Sequence, residues 1–144
     1  MSLCCDIVVF DKEDLPVLVA EIIKVRLFDT STGFFYYQEA RKCARKIGAE
    51  YVLIVAPSKM ELWSSSNENI LAEFDTAKAL RPYIGKAFTL EEASEHYLKG
   101  LVALWLDDLI YPWKEAEAPY KRELETLGIT KRIEKGYVEV EAKV

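Results

Sequence analysis

Histidine and cysteine, the residues that most often bind zinc, are scarce in this sequence. His96 is the only histidine, and the three cysteines are Cys4, Cys5 and Cys43. No two cysteines have the Cys-x-x-Cys spacing typical of structural zinc sites, and there is a single histidine, so the sequence argues against a zinc protein. Adjacent cysteines and an odd total are typical of free thiols in a reducing cytosol, so we expect a cytoplasmic protein.

Several other signals are missing as well. No run reaches the roughly 18 apolar residues of a membrane span, and no signal peptide is present. Neither of the glycine-rich phosphate-binding motifs, GxxxxGK[ST] or GxGxxG, occurs. With 19 basic and 24 acidic residues, the net charge of −5 argues against an anionic membrane surface and against a non-specific coat on nucleic acid.

The pattern of apolar residues predicts an α/β domain. At 144 residues with 51 % hydrophobic content, the chain suits one domain with its own core. Residues 4–10 and 16–26 are rich in Val, Ile and Leu and predict a β-hairpin, and 49–56 predicts a third buried strand. A helix over 34–47 separates them, so strands two and three should pair in parallel. Residues 60–63 complete a β-β-α-β-β order.

The predicted helix has two different faces. Asp29 and the three residues after it offer N-terminal caps before Gly33, which we expect to break the chain. The apolar stripe consists of Tyr37, Ala40, Cys43, Ala44 and Ile47. The opposite face carries Gln38, Arg41, Lys42, Arg45 and Lys46. These basic residues form either a solvated face or a phosphate-binding surface.

The second half, residues 67–144, is predicted to be a helical extension with a terminal strand. The linker-like run 64–67 marks the change from the α/β core at 4–66. We expect helices at 69–80, at about 89–110 and at 115–127, and a strand at 136–143. The long helix should open with a capping box from Thr89 to Glu92 and end at Pro112. The whole is a mixed sheet of four or five strands flanked by helices.

Two carboxylates stand out because they interrupt the apolar strands of the hairpin. Asp6 lies in the first strand and Glu21 late in the second. Paired strands can bring these side chains together, and two adjacent carboxylates suit a divalent cation such as Mg²⁺.

An Asp on one strand, a Glu on the next, a helix, a Val-rich strand and a hairpin containing Glu61-Leu62-Trp63 resemble the PD-(D/E)xK, restriction endonuclease-like superfamily. Within it, residues 4–66 look most like the N-terminal nuclease-type domain of type I restriction R subunits. The resemblance implies Mg²⁺-dependent hydrolysis of DNA phosphodiesters, with Asp6 and Glu21 as metal ligands and Gln38 as an orienting group.

The lysine of that motif is displaced in this sequence. The resemblance requires Lys two residues after Glu21, where Ile23 stands, and Lys24 is one residue further along. Strand alternation turns Lys24 to the opposite face, and only a β-bulge would return it to the carboxylates. A second Glu-x-Lys, at 141–143, lies on the terminal strand and is predicted to be an exposed face.

Two functions are therefore open. In the first, the chain is a nuclease or DNA-binding domain in which Asp6, Glu21, Lys24 and Gln38 form the site. Phosphates would then be contacted by Arg41, Lys42, Arg45 and Lys46. In the second, it is a catalytically inactive nuclease-fold module that mediates protein interaction, as a homodimer or with a partner subunit. The aromatic residues that could serve a partner or stack on bases are Phe34, Phe35, Tyr36, Tyr37, Trp105, Tyr111 and Trp113.

Overall fold

The computed structural model describes residues 4–24, 29–85, 89–111 and 117–143. The strands are β1 (Cys4–Phe10), β2 (Pro16–Ile22), β3 (Tyr51–Val55), β4 (Lys59–Ser64), β5 (Ile70–Asp75) and β6 (Tyr137–Lys143). The helices are α1 (Thr30–Ile47), α2 (Thr76–Leu80), α3 (Glu95–Ile110), α4 (Lys121–Thr126) and α5 (Ile129–Ile133), with short 3₁₀ turns at Arg81–Tyr83 and Leu90–Glu92.

The strands form one mixed sheet in the order β5-β4-β3-β2-β1-β6. β2 and β3 are parallel and are connected by α1, as the sequence predicts. The other neighbouring pairs are antiparallel. The α/β class is confirmed, but the expected four or five strands are too few, because the described chain contains six.

Helices cover both faces of the sheet. On one face, α1 packs its apolar stripe against residues such as Val8, Val19 and Ile54. On the other, α3 packs Leu98, Leu101, Val102, Trp105 and Leu109, together with residues of α4 and α5, against the opposite sides of the same strands. Strands covered on both faces are apolar throughout, which explains why β1, β2 and β3 appear as continuous runs of Val, Ile and Leu.

The first helix begins earlier than predicted. Asp29 is its N-cap, and the Asp29 Oδ1 accepts a hydrogen bond of 2.9 Å from the Thr32 N–H. Gly33 does not break the chain but lies inside α1, where a Cβ atom would overlap the Glu61 carboxyl of β4. The glycine is used for close packing between helix and strand.

The predicted helix over 69–80 is wrong for its first half. The turn at Ser65–Asn67 folds the chain back, and β5 pairs antiparallel with β4 before α2 begins at Thr76. Residues 70–75 form a strand because their backbone pairs with the free edge of β4, and this pairing leaves no periodic pattern in the sequence. With β5 at one edge and β6 at the other, the sheet continues beyond residue 66.

The start of the long helix also differs from the prediction. The segment after Thr89 forms a 3₁₀ turn without a side-chain cap. The N-cap of α3 is instead Ser94, whose Oγ accepts a hydrogen bond of 3.0 Å from the Tyr97 N–H. The end at Ile110 and the terminal strand are confirmed. The predicted helix over 115–127 is shorter, since α4 covers Lys121–Thr126. Pro112, Trp113 and the ends of the predicted elements at 25–26 and 115–116 lie outside the described residues.

A covalent link joins the sheet to α1. Cys5 of β1 and Cys43 of α1 form a disulfide with a Cα–Cα distance of 6.8 Å, and both side chains are buried. The expectation of three free thiols is therefore wrong. The two residues are 38 positions apart, and only the packing of α1 on β1 brings them together.

Within the described ranges, none of the helices combines the length and apolar character that crossing a bilayer requires.

Candidate functional site

The pairing of β1 with β2 brings the two predicted metal ligands together. Ile7 pairs with Ala20, so Asp6 stands opposite Glu21 at the next position of the antiparallel ladder. The Ile22 N–H donates to Asp6 Oδ2 at 2.8 Å, and Glu21 is hydrogen-bonded both to the Asp6 backbone N–H and to the Asp6 carboxyl. The contact predicted from the sequence is present.

This closeness changes the protonation of Glu21. Burial is the largest cause that raises its pKa to about 8, followed by the charge of Asp6 and by the hydrogen bond between the two carboxyls. The charge of Lys99 acts in the opposite direction but is a smaller influence. Two close carboxylates resist double ionisation, so Glu21 keeps a proton near neutral pH.

A lysine that the sequence analysis did not select lies beside the pair. The Lys99 Nζ of α3 is 3.2 Å from Asp6 Oδ1 and 3.2 Å from Glu141 Oε1 of β6. Burial lowers the pKa of Lys99, but Asp6 and Glu141 outweigh burial and raise the pKa overall. The side chains of Asp6 and Lys99 are 22 % and 12 % exposed, so the group is open to solvent at one side. We call Asp6, Glu21, Lys99 and Glu141 the acidic-pair site.

The lysine predicted from the motif lies elsewhere. β2 and β3 pair in regular register from Leu18 to Ile22, without the bulge that would rotate the chain. Ile23 is buried in the cluster that faces α1, and its N–H donates to the Val55 carbonyl at 2.8 Å. Lys24 follows as an exposed residue after the end of β2, and no contact with Asp6 or Glu21 is found among the described residues.

Gln38 is exposed on the outer side of α1, in a shallow groove with Arg41, Lys42, Arg45 and Glu68. The described contacts of Asp6 and Glu21 do not include it. Helix direction accounts for this placement. α1 connects parallel strands and runs opposite to them, so only its first turns lie near the end of β2 that carries Glu21.

The basic residues of α1 have several different environments. Arg41 Nε donates to the Ser65 carbonyl at 2.6 Å, and its Nη1 is 2.5 Å from Glu68 Oε1, so this side chain links α1 to the β4–β5 turn. Lys42 is ion-paired with Glu39 at 3.3 Å. Arg45 and Lys46 are exposed near the C-terminal end of this 18-residue helix. That end is about 27 Å from the N-terminal end, at 1.5 Å per residue.

Of the aromatic candidates, several belong to the core. Tyr37 stacks on Trp63 with ring centroids 4.3 Å apart and donates from its hydroxyl to the Ser64 carbonyl at 2.7 Å. Trp105 is buried, and its Nε1–H donates to the Pro119 carbonyl. Phe35 is the most exposed member of its cluster, at 59 %, and Phe34 is exposed as well.

The acidic pair supplies some of the ligands that a magnesium ion needs. Mg²⁺ is usually held by one or two carboxylates, with water and substrate phosphates filling the other positions. Asp6 and Glu21 supply two carboxyls whose mutual repulsion a divalent cation would relieve. In the part of the chain that the structure describes, no group of three or more His, Cys, Asp or Glu side chains could hold a metal, so any cation here depends on this pair.

A further buried carboxyl lies two strands away. Glu61 of β4 is fully buried against the start of α1, and burial raises its pKa. Lys59 Nζ lies 3.4 Å from Glu61 Oε2, while neither carboxyl oxygen makes a well-formed hydrogen bond to a described group. The sequence pattern assigned no role to this residue.

Sequence reasoning missed Lys99, Glu141 and Glu61 for a common reason. Each enters its site through strand pairing or packing between layers, and none has a fixed spacing from Asp6 or Glu21. One weak signal existed, since Lys99 is the only Lys or Arg in α3. A cation within an otherwise apolar and acidic helix needs a partner, although its partner cannot be named from the sequence.

The chain matches no protein-family model, no curated protein and no solved structure.

Proposed function

We propose that the chain is a restriction endonuclease-like domain that uses a divalent cation to hydrolyse DNA phosphodiester bonds. The observation that carries the proposal is the acidic-pair site: two adjacent strand carboxyls with a half-buried lysine at 3.2 Å from one of them. This combination brings together cation ligands and a fixed positive charge at a partly open position. The cytoplasmic location is part of the same proposal.

Asp6 and Glu21 would hold Mg²⁺, which when bound would supply Lewis-acid activation and neutralise phosphate charge. The backbone supports Asp6, because the Ile22 N–H fixes its Oδ2. Lys99 would provide the ammonium that the motif places at residue 23. Within the same site it would attract a phosphate oxygen and stabilise the negative charge that develops during hydrolysis.

The proposal is tested by cleavage of supercoiled plasmid DNA in Mg²⁺ or Mn²⁺. We expect Asp6→Asn and Glu21→Gln to lower the rate by about 100-fold or more, because each removes a ligand of the cation, and Lys99→Met by a similar factor, because it removes the positive charge near the reacting phosphate. Lys24→Met should retain the wild-type rate, since Lys24 is exposed and outside the site.

Glu91→Gln is the matched control, because Glu91 is an exposed carboxylate in a 3₁₀ turn on a different part of the chain. Equal cleavage by wild type and Asp6→Asn would assign the activity to a contaminant and contradict the proposal. Loss of activity in Lys24→Met with full activity in Lys99→Met would return the catalytic role to Lys24.

The second candidate is a catalytically inactive module that associates through its sheet. β5 is an edge strand in which Ile70 and Leu71 are each 37 % exposed, and an exposed apolar edge can pair with another chain. Sedimentation of wild type and Leu71→Lys separates the two: a concentration-dependent dimer that the substitution abolishes, with no cleavage, supports this module. A monomer at all concentrations contradicts it.

A further inference from the structure

Three strands contribute a carboxylate to one row across the sheet. Asp6 stands opposite Glu21 on β2, as described above. On its other side, Cys5 pairs with Ala142 and Ile7 with Val140, so Asp6 also stands opposite Glu141 of β6. Glu141 of the last strand therefore flanks Asp6 on the side away from Glu21.

Lys99 lies between two members of this row. Its Nζ is at the same distance, 3.2 Å, from Asp6 Oδ1 and from Glu141 Oε1. Because its side chain is only 12 % exposed, the ammonium is confined to this neighbourhood. Glu141 is different, with 60 % of its side chain exposed, so it provides a negative charge at the solvent side of the site.

A divalent cation and the ammonium would compete for Asp6. Both are attracted to the same carboxylate, and two cations that share it repel each other strongly at about 4 Å. A cation that binds Asp6 and Glu21 therefore has to displace the ammonium from Asp6. In the described chain, the carboxylate already in contact with the ammonium on its other side is that of Glu141.

We propose that Glu141 is a positioning residue that retains the Lys99 ammonium in the site when a divalent cation occupies Asp6 and Glu21. The inference rests on the proposed function, because it presumes that this pair binds the cation. In the cation-free protein Lys99 neutralises Asp6. In the cation-bound protein Glu141 holds Lys99 at the edge of the site, where it faces the substrate phosphate.

The experiment measures Mn²⁺ affinity by calorimetry in a double-mutant cycle of Lys99→Met and Glu141→Gln, without substrate. Lys99→Met should tighten Mn²⁺ binding about tenfold, because the competing cation is gone. Glu141→Gln should weaken it about three- to fivefold, the range of a partly exposed ion pair, because Lys99 then remains on Asp6. In the Lys99→Met background, Glu141→Gln should change nothing.

Two variants act as controls. Glu139→Gln removes an exposed carboxylate from the same strand and should leave the affinity unchanged. Glu141→Asp keeps the charge and should restore most of the wild-type affinity. Thermal unfolding of each cation-free variant verifies that β6 remains in place.

The outcomes are distinct. If folded wild type binds no Mn²⁺, the proposed function and this inference both fail. If wild type binds Mn²⁺ and Glu141→Gln weakens binding equally in both backgrounds, Glu141 acts on the cation directly and this inference alone is overturned. If Glu141→Gln has no effect with Lys99 present, the inference is overturned as well.

Discussion

At the scale of single residues, burial raises the pKa of two glutamates that have different neighbours. The Glu21 carboxyl is hydrogen-bonded to the carboxyl of Asp6, so the negative charge of Asp6 adds to the effect of burial and raises the pKa of Glu21 further. Glu61 has Lys59 nearby, and that positive charge opposes the effect of burial, while the charge of Glu73 adds a smaller increase. Of the two glutamates, only Glu21 is hydrogen-bonded to a second carboxyl, so that two acids compete for one proton, which is why we place the cation site there.

The raised pKa of Glu21 predicts how stability depends on pH in the absence of metal. Between an unfolded value of 4.5 and a folded value of about 8, the folded state binds more protons than the unfolded state. The contribution of Glu21 to the free energy of unfolding is therefore fully present below about pH 4.5 and decreases as the pH rises towards 8. Urea unfolding from pH 5 to 9 in EDTA measures this slope.

Glu21→Gln is the comparison, because it removes the titrating group and keeps the size of the side chain. The variant should lose most of the decrease between pH 5 and 8. A wild-type stability that rises over this interval, or a decrease of the same size in both proteins, would contradict the predicted protonation of Glu21.

At the scale of elements, the contact of α1 with β4 depends on a glycine, which has no side chain to separate helix and strand. Gly33 lies in the first turns of α1, directly over the buried Glu61 carboxyl. A helix usually loses stability from an internal glycine. Here the close approach that glycine permits lets α1 cover Glu61 and brings Tyr37 onto Trp63.

Gly33→Ala should therefore destabilise the protein, by about 1–3 kcal/mol, because the new methyl group overlaps Glu61 in a packed interior. Gly100 is the matched control: it lies in α3, and an added Cβ atom there would meet open space, so Gly100→Ala should stabilise by about 0.5–1 kcal/mol. Urea unfolding gives both values. Equal stability of the two variants would mean that Glu61 moves aside freely.

At the scale of the whole molecule, the Cys5–Cys43 disulfide connects the sheet with the helix layer that covers one of its faces. Closing a loop of this length restricts the unfolded chain, and such links typically contribute about 2–4 kcal/mol to the free energy of unfolding. A reducing cytosol keeps most protein thiols reduced, so the state of this link reports the conditions that the protein meets.

Reduction of the disulfide should lower the free energy of unfolding by about 2–4 kcal/mol. Cys43→Ser should lower it by a similar amount whether or not a reductant is present. Cys4→Ser is the control, since the disulfide joins the other two cysteines, Cys5 and Cys43. Denaturant curves with and without a dithiol provide the measurement. A reductant effect that persists in Cys43→Ser would show that another group is responsible.

The sequence predicted the elements of the fold whose signals are local. Continuous apolar runs located β1, β2 and β3, and the 3.6-residue periodicity located α1 and the buried stripe of α3. The connection through α1 predicted the parallel pair. β5 was missed because its pairing depends on the edge of β4 rather than on its own alternation of residues.

For the site, the sequence by itself determined the two carboxylates and the strands that carry them, since two acids within apolar strands are visible in the chain. Only the tertiary structure decided which lysine lies beside them. Regular β2–β3 pairing leaves Lys24 outside, whereas packing of α3 and pairing of β6 bring Lys99 and Glu141 to Asp6. Lys99 and Glu141 are 93 and 135 positions from Asp6 in the sequence. Contacts across such separations arise from packing between layers and from strand pairing, which no local pattern encodes.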